Sequence, residues 1–374
     1  TITGGASSDT VTLGAAATRG NIDLAGGADK LTLAGGGGTV TVLNVETIVG
    51  ATAADLVTLG SAAAGISVDL GAGNDRLILG AFANTLTVSN VETITGGVSS
   101  DLVTLGAQAT RTTIDLGAGG DKLTLGAFVN TVTVSNIETI VGGSTNDTVV
   151  FAAQATSASI DLGAGLDRLT LGNFINTVTV SNVETITGGI SADTVLLGAQ
   201  VSVTTIDLGT GADKLTLGAF VNTVTVANVE TIVGGSTNDT VTFAAQATGS
   251  TVDLGAGLDK LILGDFVNTV TVSNTETVIG GSTNDTLVFG AAVTGSTVDL
   301  GAGLDKLTLG AFANTVTVSN VETITGAASA DVVTFGAAVT GATVDLAGGA
   351  DKLTFAAGGA TVTVSNVETI IGGA

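Results

Sequence analysis

No cysteine, histidine, methionine, proline, tryptophan or tyrosine occurs in the 374 residues. Without histidine or cysteine the chain cannot build a Ser-His-Asp triad, a thiol nucleophile, a disulfide or a zinc site of the usual nitrogen and sulfur type. Positive charge is also scarce, since 10 Lys and Arg stand against 33 Asp and Glu for a net of -23. Nucleic acid would be repelled. Long apolar runs are missing as well: even the longest uncharged stretches, such as that between Lys30 and Glu46, are broken by Thr and Gly. They are too short and too polar for a membrane span, and none is expected. The start, Thr1-Ile2-Thr3-Gly4-Gly5, lacks the basic region and apolar core of a signal peptide. Thr369 to Ala374 share the repeat phase of Thr1 to Ala6, so the sequence reads as an excerpt of a longer protein or a processed product.

What is abundant is repetition. Glu occupies positions 46, 92, 138, 184, 230, 276, 322 and 368, a period of 46. Such a period belongs to solenoids, propellers or helical arrays, and local pattern must decide among them. Runs such as Thr251-Val252-Asp253-Leu254 and Thr269-Val270-Thr271-Val272 alternate polar with apolar, which is strand spacing. Between the runs lie Gly-rich corners such as Gly255-Ala256-Gly257-Leu258-Asp259, where Gly and Asx supply turn chemistry. The reading is an all-β protein, a parallel β-solenoid of β-helix or β-roll type. Its eight 46-residue repeats of two coils each, about 26 and about 20 residues long, form one continuous array over 1-374. A propeller ranks second, because blades need hairpin turns and aromatic residues, and here 11 Phe are the only aromatics.

Several columns recur once per period. One Asp column closes each Gly-rich pentapeptide: Asp29, Asp75, Asp121, Asp167, Asp213, Asp259, Asp305 and Asp351. A second comprises Asp9, Asp55, Asp101, Asp147, Asp193, Asp239, Asp285 and Asp331. On this coil assignment the two columns interleave along one edge as an organised acidic surface, with carboxylates about 4.8 Å apart. A calcium ion would relieve their repulsion and wants such oxygen donors. The alternative is an Asp that only caps its turn, with the following Lys or Arg, such as Lys122, partly neutralising the edge. Phe82, Phe128, Phe174, Phe220, Phe266 and Phe312 read as a buried aromatic stack, each with an Asn corner two residues on. Gly36 and Gly358 break that column, as Gly38 and Ala360 break the Asn column. Asp23, Asp69 and their equivalents point outward by alternation, whereas the facing of Glu46 is left open between bulge and corner.

These corners resemble the RTX, or repeats-in-toxin, calcium-binding solenoids, whose nonapeptide is Gly-Gly-x-Gly-x-Asp-x-apolar-x. Gly71 to Ile78 follows it closely, and Gly-x-Gly-x-Asp is kept in periods two to seven, as in Gly209-Thr210-Gly211-Ala212-Asp213. Periods one and eight shift to Ala-Gly-Gly-Ala-Asp at 25 to 29 and 347 to 351, and the second corner has Thr145 or Ser99 where the family has Gly. The resemblance implies calcium held by Asp and turn carbonyls, and type I secretion from a Gram-negative bacterium. It also implies a place in a toxin, adhesin or surface layer.

A carboxylate repeated identically in every period looks architectural rather than catalytic, so no enzyme is expected. The expected function is an extracellular bacterial structural repeat: a fibre, surface layer or adhesin stalk, calcium-stabilised and in contact with cell surface or matrix. It would self-associate head to tail through strand edges left open at its ends. The alternative is a surface-, ice- or polysaccharide-binding module using the outward Thr-x-Thr face, from Thr39 and Thr41 to Thr361 and Thr363.

Overall fold

The fold is that of a computed structural model, which describes residues 1–373. Each period supplies five short strands, for example Thr85–Ser89, Thr93–Gly97, Leu102–Leu105, Thr110–Gly117 and Lys122–Thr124. Alternating Thr and Val make them: β-branched side chains favour extended backbone, and every second one faces inward. No helix occurs among the described residues. The chain divides into two compact units, Thr1–Gly189 and Ile190–Ala374.

In the first unit successive strands pass alternately to two parallel sheets. Thr85–Ser89 pairs with Ala64–Gly71 and Leu102–Leu105, while the next strand, Thr93–Gly97, pairs with Arg76–Ile78 and Thr110–Gly117 in the other sheet. This is a parallel β-solenoid with two strands per turn. Five strands per period therefore make two and a half turns, not the two coils expected. The registers confirm the count: Lys30 lies opposite Thr47, Thr47 opposite Ser67, Ser67 opposite Thr87 and Thr87 opposite Thr104. None of these steps is as long as the longer coil expected. Equivalent residues of consecutive periods thus fall on opposite sheets and opposite edges. An edge recovers the same residue only two periods, or five turns, later.

The core is a set of ladders between the sheets. Ile66, Leu86, Val103, Leu123, Ile140, Ile160 and Val180 face one another in adjacent strands of one sheet, the most exposed being Ile66 at 6%. Each such side chain contributes about 1.5–3 kcal/mol on burial, distributed between a coil and its neighbours. The second unit repeats the arrangement, with Val195, Leu215, Ile232, Val252, Val272 and Phe289 in one ladder. Where a turn carries one residue too many, a bulge absorbs it: between Thr110 and Thr112 the register shifts, and Arg111 takes φ 63. Gly occupies the same place at 65, 249, 295 and 341.

The half-turn changes what the Phe column is. Phe82 and Phe128 lie on opposite edges, and Phe82 and Phe174, on one edge, are five strand spacings or about 24 Å apart. They cannot stack. All six are 36–39% exposed, so the expected buried stack is corrected. The buried rings are Phe151, Phe243, Phe289 and Phe335, which end inward-alternating strands.

Candidate functional site

The Asp corners are built by close packing of backbone. At Gly163-Ala164-Gly165-Leu166-Asp167, a Cβ on Gly165 would stand 2.9 Å from the Thr145 carbonyl group of the preceding coil. Successive corners therefore lie flush, and the Asp that follows is turned inward beneath them. Asp167 is 1% exposed and Asp147, one coil earlier, is also 1% exposed.

The two Asp columns do interleave, but in buried rows rather than as an acidic surface. In one row the Ala109 amide donates to Asn130 Oδ1 at 3.0 Å, and Asn130 donates to Asp147 Oδ1 from both its amide and its Nδ2, at 3.0 and 2.9 Å. The Asp147 amide then donates to Asp167 Oδ1 at 2.6 Å, and the Asp167 amide to Glu184 Oε2 at 2.7 Å. Each acidic side chain thus accepts a backbone N–H of the coil before it, a bond whose absence would leave a buried donor unmade. The opposite edge holds Asn84, Asp101, Asp121 and Glu138 in the same pattern. The second unit holds Asn222, Asp239, Asp259 and Glu276; Asn268, Asp285, Asp305 and Glu322; and Asn314, Asp331, Asp351 and Glu368. Asp193 donates its amide to Asp213 in the same manner, as Asp9 does to Asp29 and Asp55 to Asp75. The rows alternate between edges with each period, so the expectation of one edge is corrected for the same reason as the Phe stack.

One oxygen in each first-column carboxyl is left over. Oδ2 of Asp29, Asp75, Asp121, Asp167, Asp213, Asp259, Asp305 and Asp351 is buried without a hydrogen-bond partner. Burial pushes the carboxyls of Asp121, Asp167, Asp213, Asp259 and Asp305 up to about 6, with neighbouring Asp and Glu charges adding to the shift and the donated amide opposing it. The second-column carboxyls Asp101, Asp147, Asp239 and Asp285 are also raised by burial, against the hydrogen bonds from Asn84, Asn130, Asn222 and Asn268. Lys122 does not enter this balance, because it begins the next strand and is exposed on its outer side.

Calcium can be tested against this donor set. Hard, buried, unpartnered carboxylate oxygens suit it chemically. They form a row with one per coil, and no three acidic groups converge as a cage among the described residues. The Asp columns therefore offer a cation single oxygens in a row rather than a cage, with the Oδ1 atoms already committed to backbone.

The remaining columns are structural. Asn44, Asn90, Asn136 and their equivalents take φ near 50 and turn the chain at a corner. Their Nδ2 reaches back to the outward Asp of the previous coil, as Asn90 to Asp69 Oδ1 at 2.7 Å. The open question over the Glu46 column resolves to a corner, since Glu46 accepts the Asp29 amide at 2.7 Å. Sequence reasoning overlooked this Asn–Asp pairing, although both columns recur in every period at a fixed separation, Asn90 coming directly after Ser89, the register partner of Asp69. The Thr-x-Thr pairs alternate between sheets, but other Thr extend them: Thr93, Thr113 and Thr133 lie side by side.

Compared with known proteins, the chain matches no protein-family model and no curated protein. The functional reading therefore rests on the geometry of the rows and on chemistry.

Proposed function

We propose that the chain is a structural repeat segment of an extracellular bacterial fibre, surface layer or adhesin stalk, stabilised by calcium and self-associating end to end. The observation that carries this reading is the set of buried carboxyl rows, in which successive coils cap the ones before them. A solenoid so built resists local opening, because a coil loses both its core ladder and its caps on separating. Resemblance to RTX corners supports secretion and the choice of calcium, and the leftover Oδ2 atoms give the ion its role of offsetting buried charge. No catalytic role is proposed. Sedimentation velocity in millimolar calcium and after chelation tests the reading. Large assemblies that dissolve with chelator are the expected result, and a monomer unchanged by either condition would discard both calcium and polymerisation.

A second reading, adhesion to ice or polysaccharide through the outer face, is favoured by the in-register run of Thr93, Thr113 and Thr133. It predicts inhibition of ice recrystallisation or retention on a neutral polysaccharide resin, and absence of both would remove it.

A further inference from the structure

The corner at residues 90–92 is shorter than those before and after it on the same edge, 72–75 and 106–109. The shortfall opens a cavity of about 300 Å³ that reaches inward to Val88 and Leu105. Val88, Val91 and Leu105, none more than 5% exposed, give it apolar walls, and Glu92, Gln108 and Thr112 give it polar ones. No Lys or Arg is among the described residues that line it.

Two of the polar groups have bonding capacity to spare. At the place of Thr112 two later periods have Ser250 and Ser296, whose hydroxyls donate to Val229 O and Thr275 O at 3.1 and 2.9 Å. Thr112 makes no such bond to Val91 O although it is only 4% exposed, so its hydroxyl is left to the cavity. Glu92 accepts the Asp75 amide on Oε2 at 2.8 Å, which leaves Oε1 free. The two residues stand in adjacent coils, where the Thr113 amide donates to the Glu92 carbonyl at 2.9 Å. The preceding period supplies an internal contrast. Its cavity, beside Glu46, is about 160 Å³ and has Ile66 in place of Thr112 and Ala62 in place of Gln108.

We propose that the larger cavity binds a primary alkylammonium, with its stem against Val88, Val91 and Leu105 and its head against Glu92 Oε1, Gln108 Oε1 and the Thr112 hydroxyl. An ammonium brings three donors and no acceptor, which matches three oxygens. The carboxylate selects for charge, because it repels an anion and holds a charged donor about twice as strongly as a neutral one. The apolar walls select for a stem over a bare metal ion, which keeps its hydration. The volume is at the lower end for small-molecule sites and admits no polymer. A free amine and a lysine side chain of another chain share this chemistry, and the test separates them. The site needs neither calcium nor assembly.

Isothermal titration of the whole chain with butylammonium, in chelator at physiological ionic strength, tests it. Binding is expected, and about tenfold weaker in Glu92→Gln, which keeps an acceptor for the Asp75 amide. It should vanish in the double variant Gln108→Ala/Thr112→Ile, which installs the residues of the preceding period and is checked for folding by its melt. That variant leaves the net charge unchanged, so binding retained in it would mean diffuse attraction to an acidic chain and would overturn the proposal. Absence of binding to the unaltered chain, or butanol binding as tightly as the amine, would overturn it too. With the site established by these controls, equal binding of Nα-acetyl-lysine amide assigns it to a lysine of another chain, and exclusion of that probe assigns it to a free amine.

Discussion

The corner at Gly36 to Gly38 and the corner at Phe128 to Asn130 occupy equivalent places in the repeat, and one is open where the other is closed. Asn130 is fully buried, receives the Ala109 amide, and donates to Leu125 O, Phe128 O and Asp147 Oδ1. Gly38 can do none of this with a side chain, and Asp55 is left without a side-chain donor in consequence, the Gly38 and Ala51 amides alone opposing the cost of its burial. The difference teaches that the Asn, more than the ring beside it, completes the row. Phe128 remains 37% exposed, and the polar satisfaction of the corner does not depend on it.

Breaking the closed corner should have the largest effect. Asn130→Ala orphans a buried amide and a carboxyl and is expected to cost about 3 kcal/mol in urea unfolding; a loss below about 1 kcal/mol would mean that the rows do not hold the coils. Asp167→Asn keeps the acceptor for Asp147 and removes the charge, so it should stabilise at pH 8 by about 1 kcal/mol, trimmed by solvent near the corner, and by almost nothing at about pH 3, below the ordinary carboxyl value. Equal effects at both pH values would contradict the raised pKa. Gly38→Asn, which has room for a Cβ, should close the open corner and stabilise by about 0.5–1 kcal/mol, measured by melting temperature. Smallest is Arg111→Gly, expected to stabilise by about 0.5 kcal/mol because Gly accepts φ 63 without strain. Destabilisation there would show that the Arg111 side chain contributes more than its backbone costs.

Much of the fold was legible because alternation in runs such as Thr131-Val132-Thr133-Val134 specifies strands directly, and repetition specifies stacking. The number of turns was hidden. A period of two and a half turns sends identical residues to opposite sheets, and a sequence aligned on its own period shows them as one column. Phe82 and Phe151 illustrate the cost: the first lies in a non-alternating corner and is exposed, the second ends the alternating Thr148–Phe151 and is buried. Burial of the acids was missed because Asp is expected to face water. A signal existed, since Asn84, Asp101, Asp121 and Glu138 directly precede Thr85, Leu102, Lys122 and Thr139, which lie opposite one another in adjacent strands. The spacing made the two Asp columns interleave but put them on one exposed edge, and their partners, backbone amides, left no trace in side-chain pattern.

The most direct test is the melting temperature of the chain at pH 5 and pH 8, each with calcium and with chelator. An Asp whose folded pKa is raised from 3.8 to about 6 holds its proton more tightly when folded. Its contribution is therefore complete below the ordinary value and is lost as pH rises through about 6. The buried rows thus predict a higher melting temperature at pH 5 than at pH 8 in chelator, with calcium restoring the difference at pH 8 and adding little at pH 5. A chain that melts at the same temperature or higher at pH 8 in chelator would contradict the account, because its carboxyls would then be ionised without penalty and could not be the buried, half-satisfied groups that cap the solenoid.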